Sequence, residues 1–277
     1  MIFIDSHVHI HNCFDLHTFF ESALANFKVE AAGCGQEKSF TSILFLTESG
    51  SINRFQQLTE YADTGHLISG NSSKKFTFTR TGENSSLALT CDGIQKLFII
   101  AGRQIVTQER MEVLALATDQ QFQDGYPIEQ VINNVTNAGA IPVIPYGFGK
   151  WTGKRGMLLQ RLIEKRENSG LFLGDNGGRL KYFPRPSHFK QAEEKGIRIL
   201  PGSDPLPFPS ECRRTGSFGF SLEGSISPEH PAKDLIGILS DPVTVFHPYG
   251  HLEDFYRFII NQSSMQLIKR NRNEKKQ

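Results

Sequence analysis

The stretch that decides the fold is Met1-Ile-Phe-Ile-Asp-Ser-His-Val-His-Ile-His11. The apolar run over residues 2–4 is the right length for a short buried strand. Residues two apart on a strand point to the same side, so the imidazoles of His7 and His9 can converge on one point. Two neutral imidazoles at the end of a buried strand form half of a site for Zn, Mn or Fe, and simple hydrogen bonding is an equally open interpretation.

Composition excludes several classes of function. The 277 residues include 30 Lys and Arg against 29 Asp and Glu, and a net charge of +1 attracts neither nucleic acid nor a membrane surface. The sequence has no run of about 18 apolar residues, as a membrane-spanning helix would need. Its four cysteines are scattered without a Cys-x-x-Cys pair, which argues against a disulfide scaffold or a zinc knuckle. We therefore expect a cytoplasmic protein with no nucleic-acid or membrane partner.

Along the chain, apolar strands, polar loops and amphipathic helices alternate about seven times. One such unit has a strand over Ala140–Pro145 and a helix over Lys154–Asn168. The alternation is typical of an α/β protein and predicts a single (β/α) barrel domain over residues 1–267. Its last strand is predicted at Val243–Phe246.

Residues 74–107 have a different pattern. Lys75–Thr79 and Ser86–Thr90 alternate between apolar and polar residues, and turn signals at residues 82–84 and 92–93 separate the extended runs. This pattern predicts an antiparallel β meander inserted into the barrel. Residues 268–277 are predicted to form a basic, disordered tail.

In a (β/α) barrel the chemistry collects at the carboxyl ends of the strands. Two glycine-rich turns follow predicted strands there, and they carry Lys150 (GFGKW) and Arg179 (GDNGGR). Glycines let the backbone approach a ligand closely, so both cations are candidates for binding a phosphate or carboxylate. Asp175 and Asn176 are candidates for a general base and its orienting partner, or for an Asx turn that merely holds the loop.

Taken together, these segments resemble the PHP (polymerase and histidinol phosphatase) superfamily, whose members are distorted seven-stranded (β/α) TIM-like barrels with metal-dependent phosphoesterase activity. The opening Asp-Ser-His-Val-His is similar to the first motif of that superfamily. The run Ile43–Ser49 (ILFLTES) is similar to its strand ending in Leu-Thr-Asp-His, and Gly202-Ser203-Asp204 is similar to its final Gly-Ser-Asp-x-His.

The resemblance implies a reduced metal site. His7, His9 and Asp204 match ligand positions of the superfamily. The remaining ligand positions carry other residues, namely Glu48, Ser49, Gln104, Glu112, Tyr146 and Leu206. Three ligands can hold one divalent ion with an open position, whereas the multi-metal cluster of the superfamily needs more.

We therefore expect a metal-dependent hydrolase, phosphoesterase-like, that acts on a small anionic substrate through a single Zn, Mn or Fe ion. The alternative is a catalytically inactive, metal-poor barrel that binds an anionic ligand or a protein partner. The candidate residues are Asp204 and Asp175 for catalysis, Lys150, Arg179, Arg103, Asn176 and Tyr146 for substrate binding, and His7, His9 and Asp204 for metal.

Overall fold

The computed structural model describes residues 1–36, 39–50, 52–165, 170–256, 258–261 and 263–265. The elements follow one another in this order: β1 (Ile2–Val8), α1 (Leu16–Gly33), β2 (Thr41–Leu46), β3 (Glu48–Ser49), α2 (Arg54–Thr64), β4 (Ile68–Ser69), β5 (Lys75–Arg80), β6 (Ser86–Cys91), β7 (Ile94–Ile100), β8 (Gly102–Val106), β9 (Glu112–Leu116), α3 (Ile128–Asn137), β10 (Ile141–Pro145), α4 (Gly153–Lys165), β11 (Phe172–Asn176), α5 (Ser187–Glu194), β12 (Ile199–Gly202), a 3-10 helix (Pro209–Arg214), β13 (Phe218–Leu222), α6 (Pro231–Ser240) and β14 (His247–Gly250).

The strands pair into two sheets with helices between them, which confirms the predicted α/β class. The first sheet has the order β14-β13-β1-β2-β7-β6-β5-β4, and the second has the order β12-β11-β10-β9-β8-β3. The two sheets meet where β1 passes the end of β12, and there the backbone N–H of Asp204 donates to the carbonyl of His7 at 2.8 Å. Within the described residues no ring of hydrogen-bonded strands closes, so the seven-stranded barrel stays a prediction.

The β/α repeat with parallel strands occurs in two parts of the chain, at β1–α1–β2 and from β10 to β12. The strands β10, β11 and β12 pair in parallel, with helices between them, as the alternation predicts. By contrast, β8, β9 and β10 pair antiparallel. The second sheet is therefore mixed, and a parallel barrel does not describe it.

The segment 74–107 contains an antiparallel meander of β5, β6 and β7, with Thr79 opposite Ala88 and Leu87 opposite Ile99. Its last strand pairs in parallel with β2, so the meander extends the first sheet. The remainder of the segment, β8, leaves the meander and belongs to the second sheet.

The prediction of a last strand at Val243–Phe246 is wrong, because the last strand of the described residues is His247–Gly250. The side chain of Asp241 accepts from the backbone N–H of Val243 at 3.1 Å, which is the hydrogen bond of an Asx turn. Arg198 donates to the carbonyls of Asp241 at 2.8 Å and Thr244 at 3.4 Å, so a carbonyl inside the predicted strand already meets a distant side chain. The predicted tail, residues 268–277, lies outside the described residues.

The helices bury one face each against the sheets. Asp15 caps α1 by accepting from the backbone N–H of Thr18 at 2.8 Å, and Phe19, Phe20 and Phe27 of this helix are fully buried in the core around the first sheet. A separate core lies between the second sheet and α3, α4 and α5. None of the described helices is long and apolar enough to cross a membrane.

Candidate metal centre

Three side chains that could hold a metal ion converge at the end of β1. The Nε2 atoms of His7 and His9 lie 3.1 Å apart, and each lies 3.5 Å from Oδ1 of Asp204. One ligand atom from each residue lies within 4.8 Å of the other two. A tetrahedral site with bonds of about 2.1 Å has edges of about 3.4 Å, so these separations fit a single Zn-sized ion.

Local backbone geometry places these side chains. The pairing of β1 with β2 shifts register between Asp5 and Val8, so β1 bends as its buried apolar part gives way to the histidines. Asp204 has a φ of 46°, in the left-handed region that costs a non-glycine residue energy. The hydrogen bond from its backbone to His7 holds it in that conformation.

Neighbouring amides orient the candidate ligands. Asn176, the last residue of β11, donates from Nδ2 to Oδ2 of Asp204 at 2.9 Å and to the backbone carbonyl of Tyr146 at 2.9 Å. Gln104 hydrogen-bonds the ring of His9. Groups that hold a ligand through its second atom fix its orientation, so Asn176 acts on the geometry of the site through Oδ2 of Asp204.

The electrostatics keep the donors in a state that can bind a cation. Burial, with the nearby His7, lowers the pKa of His9 to about 3, so its imidazole is neutral at physiological pH. Burial raises the pKa of Asp204, but His7, His9 and Lys150 outweigh it and hold this pKa below its usual value. A neutral imidazole and an ionised carboxylate are the forms that ligate metals.

Asp5 is not a ligand, although it lies two residues before His7. Its carboxylate accepts from the backbone N–H and hydroxyl of Ser203 at 2.8 and 2.6 Å, and from the backbone N–H of Gly216 at 2.8 Å. Burial raises its pKa to about 6. Its function is to tie β1 to the loop that carries Asp204.

Two of the predicted anion-binding cations are already paired inside the chain. Arg179 forms a bidentate ion pair with Asp175 at 3.0 and 2.8 Å, and both side chains are buried. Arg103 donates to the carbonyls of Gly50 and Ile52 at 2.6 and 2.8 Å, so it holds the loop after β3. Neither arginine therefore lies among the three converging side chains. The bonds from Arg179 also occupy both carboxylate oxygens of Asp175.

Lys150 and Tyr146 stand closer to the centre. The ammonium of Lys150 forms an ion pair with Glu112, and its charge is one of those that lower the pKa of Asp204. Tyr146 packs its ring on Trp151 at 5.4 Å, and its side chain lies near the charges of Arg179 and Asp175. A lysine–glutamate pair therefore stands beside the histidine–aspartate cluster.

A second buried ion pair lies near the centre, and the sequence analysis did not predict it. Arg214 of the 3-10 helix pairs with Glu253 and lies 3.5 Å from Glu211, and Asn261 donates to Glu253 at 2.8 Å. The charge of Arg214 also acts on Asp204. Because 39 residues separate Arg214 from Glu253, no local pattern could have revealed the pair.

No protein-family model and no curated protein sequence matches this chain. Among solved structures it is similar to PsfC from Pseudomonas syringae, with a TM-score of 0.55, 16% identity and 97% of each chain covered. The fold resembles that of PsfC. At this identity the likeness concerns the fold alone.

Two further solved structures are more distant. One is a two-domain protein from Bacteroides vulgatus that contains a predicted PHP-like metal-dependent phosphoesterase; its TM-score is 0.42 at 14% identity, over 90% of this chain and 64% of that one. The other is the lesion-specific endonuclease PfuEndoQ from Pyrococcus furiosus, with a TM-score of 0.44 at 12% identity, over 89% of this chain and 57% of that one.

Proposed function

We propose that the protein is a metal-dependent hydrolase, phosphoesterase-like, that acts on a small anionic substrate with one divalent ion on His7, His9 and Asp204. The observation that carries the proposal is the convergence of these three buried or partly buried side chains on one point. Two imidazoles and a carboxylate are a donor set that catalytic sites use for Zn, and Mn or Fe also accept it. The distorted seven-stranded barrel belongs to the same proposal, supported by the contact between β1 and β12.

The donor set leaves room for chemistry. A divalent ion held by three protein ligands would supply Lewis-acid polarisation of a phosphoryl or carboxyl oxygen. Asn176 keeps Oδ2 of Asp204 occupied, which leaves Oδ1 turned to the two imidazoles. Lys150 supplies the positive charge that a phosphate or carboxylate needs beside the ion, and its flexible stem lets it move from Glu112 to a substrate.

The internal ion pairs favour the hydrolase over an inactive anion receptor. A receptor without metal would rely on free cations, yet Arg179 and Arg103 direct their donors to Asp175 and to backbone carbonyls. The same pairs argue against Asp175 as a general base. Asp204 is the carboxylate within the cluster itself and therefore the candidate for proton transfer at this centre.

Metal analysis of protein purified without chelators tests the site. We expect about one equivalent of transition metal in the wild type, and loss of that metal in His7→Ala and in Asp204→Ala. His247→Ala, which alters an exposed histidine of β14, should keep the metal and serves as the matched control. Less than about a tenth of an equivalent in folded wild-type protein would refute the mononuclear site.

Turnover of p-nitrophenyl phosphate by metal-loaded protein tests the reaction. Lys150→Met should raise KM about tenfold, because it removes one charge–charge contact with the phosphate. Lys165→Met removes an ammonium from an exposed pair with Glu129 and should leave KM unchanged. Metal-loaded protein that hydrolyses neither this monoester nor its diester analogue would contradict the hydrolase while leaving the metal site intact.

A further inference from the structure

A second cleft lies at the opposite end of β1 and β2 from the metal centre. It is lined by Met1, Thr41 and Ser42, at the start of these two strands, whereas His7 lies near the other end of β1 and His9 just beyond it. Its volume is about 880 Å³, within the range of small-molecule sites. We call it the lysine cleft, after Lys28, Lys74 and Lys96 in its lining.

The lysine cleft is positively charged. Lys28 comes from α1, Lys74 precedes β5, and Lys96 lies on β7, so three separate elements bring ammonium groups to one space. Lys74 pairs with Glu21 at 3.0 Å. In the part of the chain that the structure describes, neither Lys28 nor Lys96 forms an ion pair.

Two of these lysines come from the two sides of Cys91, which pairs with Phe76 of β5 and with Ile94 of β7. Burial and the neighbouring Asp92 raise the pKa of Cys91, and the ammonium groups of Lys74 and Lys96 both oppose the rise. Cys91 itself lines the cleft. Both ammonium groups therefore belong to the surroundings of one residue of the lining.

One residue that lines the cleft, Ser42, carries a buried hydroxyl without a hydrogen-bond partner among the described residues. Ser42 itself is fully buried. A buried hydroxyl without a partner is costly, so natural structures rarely leave one without a reason. Around it the wall is apolar, with the half-buried Leu24, Phe40 and Ile226.

We infer that the lysine cleft binds an amphipathic anion. The carboxylate, phosphate or sulfonate of this ligand lies between Lys28, Lys74 and Lys96, and its apolar body covers the wall. An oxygen of the ligand satisfies Ser42. The lysine cleft is separate from the metal centre. Its residues lie at the start of β1 and β2, whereas the histidines that could bind metal lie at the end of β1.

Fluorescence titration of the full chain with 8-anilinonaphthalene-1-sulfonate tests the inference. We expect saturable binding near one equivalent, and much weaker binding of N-phenyl-1-naphthylamine, which has the same rings without the sulfonate. Lys28→Met and Lys96→Met should each weaken dye binding about fivefold. Lys190→Met, on the exposed face of α5, is the control and should change nothing.

Two more variants distinguish the lysine cleft from the metal centre and from nonspecific adsorption of the dye. His7→Ala should leave dye binding unchanged, so failure of the metal centre and failure of this cleft give different results. Ser42→Ala should weaken dye binding and raise Tm by a few degrees, because it removes a buried hydroxyl without a partner. Equal binding of the neutral probe, insensitivity to both lysine variants, or a lowered Tm in Ser42→Ala would overturn the inference.

Discussion

The buried pair of Arg179 and Asp175 permits a quantitative prediction. The side chains are each 10% exposed and make two hydrogen bonds, at 3.0 and 2.8 Å. Arg179→Met leaves the carboxylate of Asp175 buried without its counter-ion. We expect a loss of about 3–5 kcal/mol in the free energy of unfolding, the usual cost of an uncompensated buried charge. Urea unfolding followed by circular dichroism measures it.

An exposed pair of the same geometry is the control. Arg185 binds Glu193 at 2.7 and 2.6 Å, but the two side chains are 44% and 46% exposed. Arg185→Met should therefore cost about 1 kcal/mol or less. The double variant Arg179→Met with Asp175→Leu should cost less than the sum of its single changes by about 2 kcal/mol or more. Equal costs for the buried and the exposed arginine would refute the reasoning.

Three further predictions concern the centre and its support. Gly202→Ala should destabilise the fold by more than about 1 kcal/mol and release the metal, because a Cβ there would lie 2.3 Å from the backbone nitrogen of His7. Gly237→Ala is the control and should be neutral or stabilising, because a Cβ at that position meets nothing within 4 Å. Asn176→Leu should weaken metal binding at least tenfold in a competition assay with a chromophoric chelator, because the carboxylate ligand loses its orienting donor. Burial raises the pKa of Asp5 from 3.8 to about 6. The folded state therefore holds this proton more tightly than the unfolded chain, and the free energy of unfolding of metal-free protein should fall by about 3 kcal/mol as the pH rises from below 3.8 to above 6. Asp5→Asn should lack this fall in urea titrations across that pH range, and an unchanged pH profile would contradict the assignment.

Much of the fold and part of the centre follow from local sequence patterns. The convergence of His7 and His9 depends only on the period of two in an extended chain, which any strand obeys. The antiparallel meander could be predicted because alternation and turn residues are also local signals. Asp204 lies too far along the chain for such reasoning, and only the Gly-Ser-Asp resemblance placed it with the histidines.

The partners of the charged residues could not be predicted. A lysine or arginine after a strand has the same sequence signature whether it binds a ligand or a carboxylate of its own chain. Lys150 meets Glu112 across 38 residues, and Arg103 meets the carbonyl of Gly50 across 53. Their positions depend on how the sheets pack, which no local pattern encodes. The strand predicted at residues 243–246 failed for a related reason, since an Asx turn and a distant arginine outweigh its β propensity.

The anchoring of Asp5 has a consequence for biosynthesis. The groups that satisfy the carboxylate of Asp5 leave the ribosome 198 and 211 residues after it, with Ser203 and Gly216. Until those residues have been made, the carboxylate of Asp5 lacks the hydrogen-bond donors that satisfy it in the folded protein. Contacts of such long sequence separation slow folding and leave early segments exposed to aggregation. We therefore expect β1 to be among the last of the described elements to reach its native packing, even though it is made well before the residues that complete its contacts.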